Sequence, residues 1–307
     1  MEIIDRAEQL LKDGKHSEAI ALYEEVHKTH PEEESVLLML AWAHYDNGDT
    51  SKALHYLETI LERELKRKIF TGFAFDELVR IYKQQRKFDN LVEICRKAVN
   101  AQPNDVSLLA ELGGAYLHAE KHQEACQIFE KLVGMENDNP FFYCRWGEAL
   151  FANGRTSESK NTYMKAAEID PEAADRYYFQ LANLFINTGN NNEALKLIET
   201  CISVKPDNSL YYCALGDILI ALKRIDEALA TYKTAINYDN ASAGVYYNRL
   251  GHTLIKANHF SQAIEAFKAA IEFDAAKPYY IGLASAYEAM GLVDVAHELL
   301  QKINHAD

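Results

Sequence analysis

One interval governs this chain. Between residues 244 and 276 two short apolar faces recur at helical spacing, Tyr247/Leu250/Gly251/Leu254 and then Ala263/Ile264/Phe267/Ala270/Ile271. The apolar pattern stops at Lys256-Ala257-Asn258-His259, where Asn258 suits a left-handed turn. The stretch therefore reads as a helix–turn–helix hairpin, with Gly251 and Ala263 small enough to let the two helices approach. Such a hairpin cannot bury its large apolar residues alone, so it needs a neighbour on each side. Aligning the chain on Ala263 supplies them: Ala19, Ala53, Ala125, Ala194, Ala228 and Ala296 fall in register, with Leu91 and Ser159 in the two remaining places. Successive spacings are 34, 38, 34, 34, 35, 34, 35 and 33 residues.

Two helices per period of about 34 residues resemble the tetratricopeptide repeat (TPR) family. Leu109-x-x-Leu112-Gly113-x-x-Tyr116 followed by Ala125-x-x-x-Phe129 is similar to the family pattern, as is Tyr143-x-x-Trp146-Gly147-x-x-Leu150 followed by Tyr163 and Pro171. The resemblance implies an all-α fold, a right-handed α-solenoid (superhelix) of nine hairpins. Their approximate bounds are 1–33, 34–67, 72–105, 106–139, 140–173, 175–208, 209–242, 244–276 and 277–307. All six prolines fall at hairpin boundaries, and Gly14, Gly48, Gly154, Gly189 and Gly291 fall at the inner turns, where left-handed caps belong.

Three places depart from the period. Around residues 68–71 four extra residues and a missing proline let the second helix of that hairpin run on. The third hairpin carries Val79 and Leu91 where Gly or Ala is usual. In the fifth, Ser159 and Lys160 stand where the reference copy has Ala263 and Ile264, and an extra residue follows Pro171. A lysine aimed at the next repeat weakens a junction, so a soft joint is expected over 159–175. The last hairpin shows His297 and Asn304 towards its missing successor, which predicts a polar end to the array.

Composition restricts the function classes. The net charge of −14 argues against nucleic acid, since phosphate backbones need a basic stripe and only residues 63–68 approach one. No run reaches membrane-span length, and the amphipathic N-terminus reads neither as a signal peptide nor as an anchor. Five cysteines scattered without CxxC or Cys/His clustering read as core thiols of a reducing compartment, so a cytoplasmic location is expected.

No GxxxxGK[ST], GxSxG or HExxH pattern is present, and His118 and His122 straddle a turn, so neither catalysis nor a metal or cofactor is expected. Function then belongs to surface. In the family the first helices of each hairpin line a concave groove that binds peptide segments of other proteins. Helical spacing places Trp42, Asp46, Asp76, Arg80 and Glu111 on that face in the N-terminal half. In the C-terminal half it places Arg145, Arg176, Asn183, Asn248, Arg249 and His252, with Lys256, interrupted by Glu148 and Asp217. Residues 1–139 carry 17 basic and 26 acidic groups, and residues 140–307 carry 15 and 20. A basic, amide-rich wall of this kind suits an acidic segment or a chain terminus of a protein partner. Members that clamp a chaperone's C-terminal carboxylate use five positions. Here only Asn183 and Arg249 match, with Phe179, Ala214 and Val245 in the others, so that partner is not expected. The leading reading is a non-enzymatic scaffold or adaptor. A self-assembling structural protein (a homo-oligomer) and a small-ligand-binding accessory or sensor subunit remain as alternatives, beside solvated helix faces with no partner.

Overall fold

The structure, a computed structural model, describes residues 2–304, with side chains from 3 to 302; Asn304 as a side chain lies outside them. Helices run head to tail throughout, and the chain divides into two compact units, 1–137 and 138–307. The first unit holds α1 Glu2–Lys12, α2 His16–Thr29, α3 Glu34–Asp46, α4 Thr50–Arg67, α5 Phe73–Gln84, α6 Phe88–Ala101, α7 Val106–His118 and α8 His122–Met135. The second holds α9 Pro140–Ala152, α10 Thr156–Ile169, α11 Ala174–Asn187, α12 Asn191–Val204 and α13 Ser209–Ala221. It continues with α14 Ile225–Tyr238, α15 Ala243–Lys256, α16 Phe260–Phe273, α17 Lys277–Ala289 and α18 Val293–Asn304. Among the described residues there is no strand. In each unit odd and even helices pack as hairpins, α1 on α2, α3 on α4, and onwards to α17 on α18, and each hairpin packs on the next within its unit. This is an α-solenoid.

The inner turns follow the chemistry of the sequence. Gly14, Gly48, Gly154, Gly189 and Gly291 all have positive φ, and Asn258 does too, at 63°. Arg86, Glu120 and Lys223 occupy the same place at φ 56°, 57° and 62°, where a Cβ costs energy that glycine avoids.

Small residues do more than let backbones approach. The nearest neighbour of Gly251 is the Phe267 ring, and a Cβ on Gly251 would come within 2.7 Å of it. Gly113 faces Phe129, Gly147 faces Tyr163 and Gly216 faces Tyr232 in the same way, at 2.7, 2.7 and 2.6 Å. Each pair is 16 residues apart. In three further hairpins a larger first member meets a smaller second: Ala41 with Leu57, Val79 with Cys95, Ala182 with Ile198, all of them buried. Summed volume is held across these seven hairpins, as close-packed interiors require, whereas the first hairpin sets Ala7 in register with the fully buried Tyr23. Val79 and Leu91 in the third hairpin are thus accommodated by a cysteine where other copies carry a ring.

The irregular places have local explanations. The 38-residue spacing is absorbed by α4, which runs 18 residues and ends on Lys68 in the left-handed region, and by the connection to α5. The two 35-residue spacings coincide with single 3-10 turns, Pro171–Ala173 and Asn240–Ser242, inserted before α11 and α15. Asp170 and Asp239 accept from the backbone at the end of each turn and from the hydroxyls of Tyr177 and Tyr246, at 2.9 and 2.7 Å. Ser159 is fully buried and donates to the Gly147 carbonyl at 2.7 Å. Lys160 does not meet the next repeat uncompensated: its ammonium pairs with Glu193 of α12 and lies 5.2 Å over the Phe185 ring.

At the far end His297 is exposed. The face expected to be polar is mixed, because Leu292, Val293 and Val295 beside it are 43–46% exposed.

Candidate partner-binding face

First helices of successive hairpins touch one another in the second unit, α9 with α11, α13 with α15 and α15 with α17. Their side chains therefore form a shared layer. Helix α9 starts at Asn139, whose side chain accepts from the Phe141 amide, with Pro140 at the first helical position. That start leaves Phe141 56% exposed. One turn on, Arg145 is half-buried and pairs with Glu148 at 2.5 Å. Across from it Asn183 of α11 and Arg145 line one open cavity of about 530 Å³, together with Phe141, Cys144, Tyr163 and Tyr177. Burial, with the Glu148 carboxylate nearby, pushes the Cys144 thiol up to about 12. The wall is thus apolar and chemically inert beneath a guanidinium, a carboxylate and an amide.

The remaining expected residues are divided. Arg176 is exposed at the start of α11. Arg249 of α15 is committed: its Nε and Nη2 both reach Asp217 Oδ2, at 2.8 and 2.7 Å. Asp217 also accepts from Tyr232 at 2.5 Å and Thr253 at 2.8 Å, which closes a polar knot between α13, α14 and α15. Asn248 Oδ1 is buried and accepts no hydrogen bond. His252 packs its ring against the edge of Phe267, centroids 5.1 Å apart, and burial with the neighbouring Lys256 holds its pKa below the usual imidazole range. Arg145 and Asn183 are brought together, while Asn248, Arg249 and His252 share one helix with Arg249 turned onto Asp217.

Sequence reasoning missed the apolar row. Phe141, Leu210 and Val245 are 56%, 52% and 56% exposed in the first turns of α9, α13 and α15. Each lies 18 residues before the small residue of its repeat, and Arg176 holds the same place in α11. That fixed offset was the available signal.

In the first unit Trp42 stands 40% exposed with its ring edge-on to Phe73, centroids 5.7 Å apart. Arg80 lies 4.9 Å over Tyr45 and pairs with Glu77, and Glu111 pairs with Lys83. His118 stacks on Phe88 instead of facing His122. Among the described residues no group of three metal-ligating side chains is assembled, and no helix is long and apolar enough to cross a membrane.

Models of the tetratricopeptide repeat match residues 10–68, 142–172, 175–208 and 245–277, and a TPR-repeat model matches 216–249, together more than half of the chain. The chain belongs to the tetratricopeptide repeat family. Among the relatives that align with it, Hsp70-Hsp90 organizing protein 1 of Glycine max is 27% identical over 53% of this chain and 27% of its own length. The TPR repeat-containing protein YpiA of Bacillus subtilis is 24% identical over 74% of this chain and 52% of its own. Aspartyl/asparaginyl beta-hydroxylase of Mus musculus is 24% identical over 64% of this chain and 28% of its own. The chain thus spans between about a quarter and a half of the length of these relatives. A solved tetratricopeptide repeat protein from Parabacteroides merdae superposes with a TM-score of 0.53 at 16% identity, over 87% of this chain and 97% of that one. This likeness is one of fold.

Proposed function

We propose that the chain is a non-enzymatic interaction scaffold or adaptor of nine TPR hairpins, which holds an extended segment of a partner protein along the first-helix face of its second unit. The observation that carries this reading is the cavity where Arg145 and Asn183, from neighbouring first helices, stand over an apolar floor with Phe141 at the rim. An exposed apolar row (Phe141, Leu210, Val245) beside guanidinium and amide groups suits a segment that alternates apolar and acidic residues, or ends in a carboxylate. The name of the soybean relative speaks of organising two chaperones, which is consistent with scaffolding as a class. A chaperone tail is not the proposed occupant: of the two clamp positions matched here, Arg249 is spent on Asp217. Five buried free thiols suit a reducing compartment such as the cytoplasm.

The test is a fluorescence-polarisation panel of short peptides that vary acidic residues, apolar residues and a free or amidated C-terminus. Salt-sensitive micromolar binding to acidic–apolar sequences, lost in an Arg145/Arg176→Ala variant of unchanged circular dichroism, is the expected result. Equal binding by the variant, with no salt effect, would move the occupant elsewhere.

A second reading, self-association, rests on the exposed Leu292, Val293 and Val295 at the last inner turn. A solution mass of one chain at all concentrations would end it.

A further inference from the structure

The extra residues between α4 and α5 build a small site in the first unit, away from the face just described. Glu64, near the end of α4, is only 3% exposed. One carboxylate oxygen, Oε1, accepts from the Thr71 hydroxyl of the inserted connection. The other, Oε2, is buried and accepts no hydrogen bond. Both Glu64 and Glu34 line a pocket of about 160 Å³ between α3, α4 and the start of α5. Glu34 pairs with Arg67. Two carboxylates against one guanidinium leave a negative charge without a counterpart, and a buried carboxylate oxygen without a donor is costly. The rest of the pocket is a sleeve: Leu38, Ile60 and Phe73 supply apolar walls. Phe73 is itself 47% exposed and backed edge-on by Trp42, which places a tryptophan one ring away from the pocket.

We propose that this pocket receives the side chain of a lysine from a partner protein. Four methylenes suit an apolar sleeve that ends at a buried acceptor without a donor, and an ammonium brings both charge and N–H donors to it. A guanidinium fork fits less well, because only one oxygen lacks a donor and the neighbouring carboxylate already holds Arg67. A metal ion lacks ligands, since no group of three metal-ligating side chains is found among the described residues. The Phe73 ring at the lining favours a cation over an uncharged chain. The regular repeats do not build this site, because Thr71 and Phe73 take their places through the four extra residues of the 38-residue spacing.

The probe is n-butylammonium chloride, titrated into the full chain and read by the change in tryptophan emission, to which Trp42 beside Phe73 contributes, with sodium chloride holding ionic strength and n-butanol as the neutral isostere. Saturable binding of butylammonium and none of butanol is expected. Glu64→Gln should weaken it at least tenfold, and Glu34→Gln, on the partly exposed start of α3, at least threefold. Because Glu34→Gln alters a partly exposed position, it keeps the test open should the Glu64 variant misfold. Nα-acetyl-lysine amide should bind and alanine amide, which offers only an α-ammonium, should not. Equal response to butanol, no response to butylammonium, or unchanged affinity in both variants overturns the proposal; binding of alanine amide alone assigns the pocket to a chain N-terminus instead.

Discussion

Gly251 lies flat against the ring of Phe267, so close that a methyl group in place of its hydrogen would sit 2.7 Å from the ring carbons. Gly282 presses on the same ring from α17, and Phe267 is wholly buried between them. Gly251→Ala should therefore lower stability although alanine is the better helix former. Overpacking costs about 1–3 kcal/mol and the propensity gain returns about 1, so a net loss of up to about 2 kcal/mol is expected. Adding Phe267→Leu should recover part of it, as the Ala41 and Leu57 combination already present in the chain implies. Urea unfolding of parent, single and double variants measures both.

Lys223 sits in the left-handed region at φ 62° in an inner turn where five sister turns carry glycine. Relieving its Cβ gains about 1–2 kcal/mol, and the added freedom of glycine in the unfolded chain takes back about 0.4–1. Lys223→Gly is expected to raise the urea midpoint by an amount worth about 0.5–1 kcal/mol, and Glu120→Gly should act alike. Gly189→Ala, at φ 74°, should move it the other way.

The tether between α10 and α12 is pH-dependent. Hydrogen bonds from Lys160 and Lys196 hold the Glu193 carboxyl down at about 2, below its ordinary value of 4.5. A carboxyl depressed in the folded state stabilises above the unfolded value, and that contribution is lost as pH falls from about 4.5 towards 2. Glu193→Gln should flatten the stability profile across that window and leave it unchanged near neutrality apart from a constant offset. At neutral pH, Lys160→Ala should speed proteolytic cleavage within 155–176, where the sequence places a soft joint. Cleavage rates equal to the parent's would mean that the 3-10 turn at 171–173 holds the junction without the tether.

Burial pushes the thiols of Cys95, Cys144, Cys201 and Cys213 up to about 12. The thiolate is the reactive form, so Ellman's reagent at pH 8 should label the native protein slowly and all five cysteines rapidly after denaturation. Fast labelling of one site in the native state would mark a hairpin that opens locally.

On the proposed binding face, Arg176 and Asn183 are expected to act as separate, modest contacts. Alanine at either should weaken the best peptide of the panel two- to fivefold, in line with about 1 kcal/mol or less per exposed contact. Arg249→Ala should instead lower stability with little direct loss of binding, because it strips Asp217 of its cation. Melting and titration of the same three variants separate these outcomes.

The repeat length, the hairpins and the left-handed turns were legible because they depend on residues near one another in sequence. Asn258 and the five turn glycines are examples. What escaped depended on side-chain direction across a whole repeat. Arg249 meets Asp217, 32 residues earlier, and Lys160 meets Glu193, 33 residues later. Helical spacing places such residues on neighbouring faces but does not say which will turn sideways to meet. Gly251 was correctly marked as a point of close approach, yet the Phe267 ring is its nearest neighbour, because volume as well as backbone spacing decides what fills the gap. The Glu64 pocket could not be foreseen, since it exists only through the path of the inserted connection.

The exchange of bulk between residues 16 apart bears on how such a chain can be cut and rejoined. Glycine with a ring, alanine with an aliphatic, and valine with cysteine are three solutions to one volume, and both members of each pair lie in one hairpin, although the Phe267 ring also takes Gly282 from the next. A whole hairpin can therefore be transplanted with its lock intact, whereas a crossover at an inner turn would marry a valine to a phenylalanine or leave a glycine facing a void. Recombination breakpoints that survive in this chain are then expected between hairpins, and chimaeras joined at Gly154 or Gly189 should be the fragile ones.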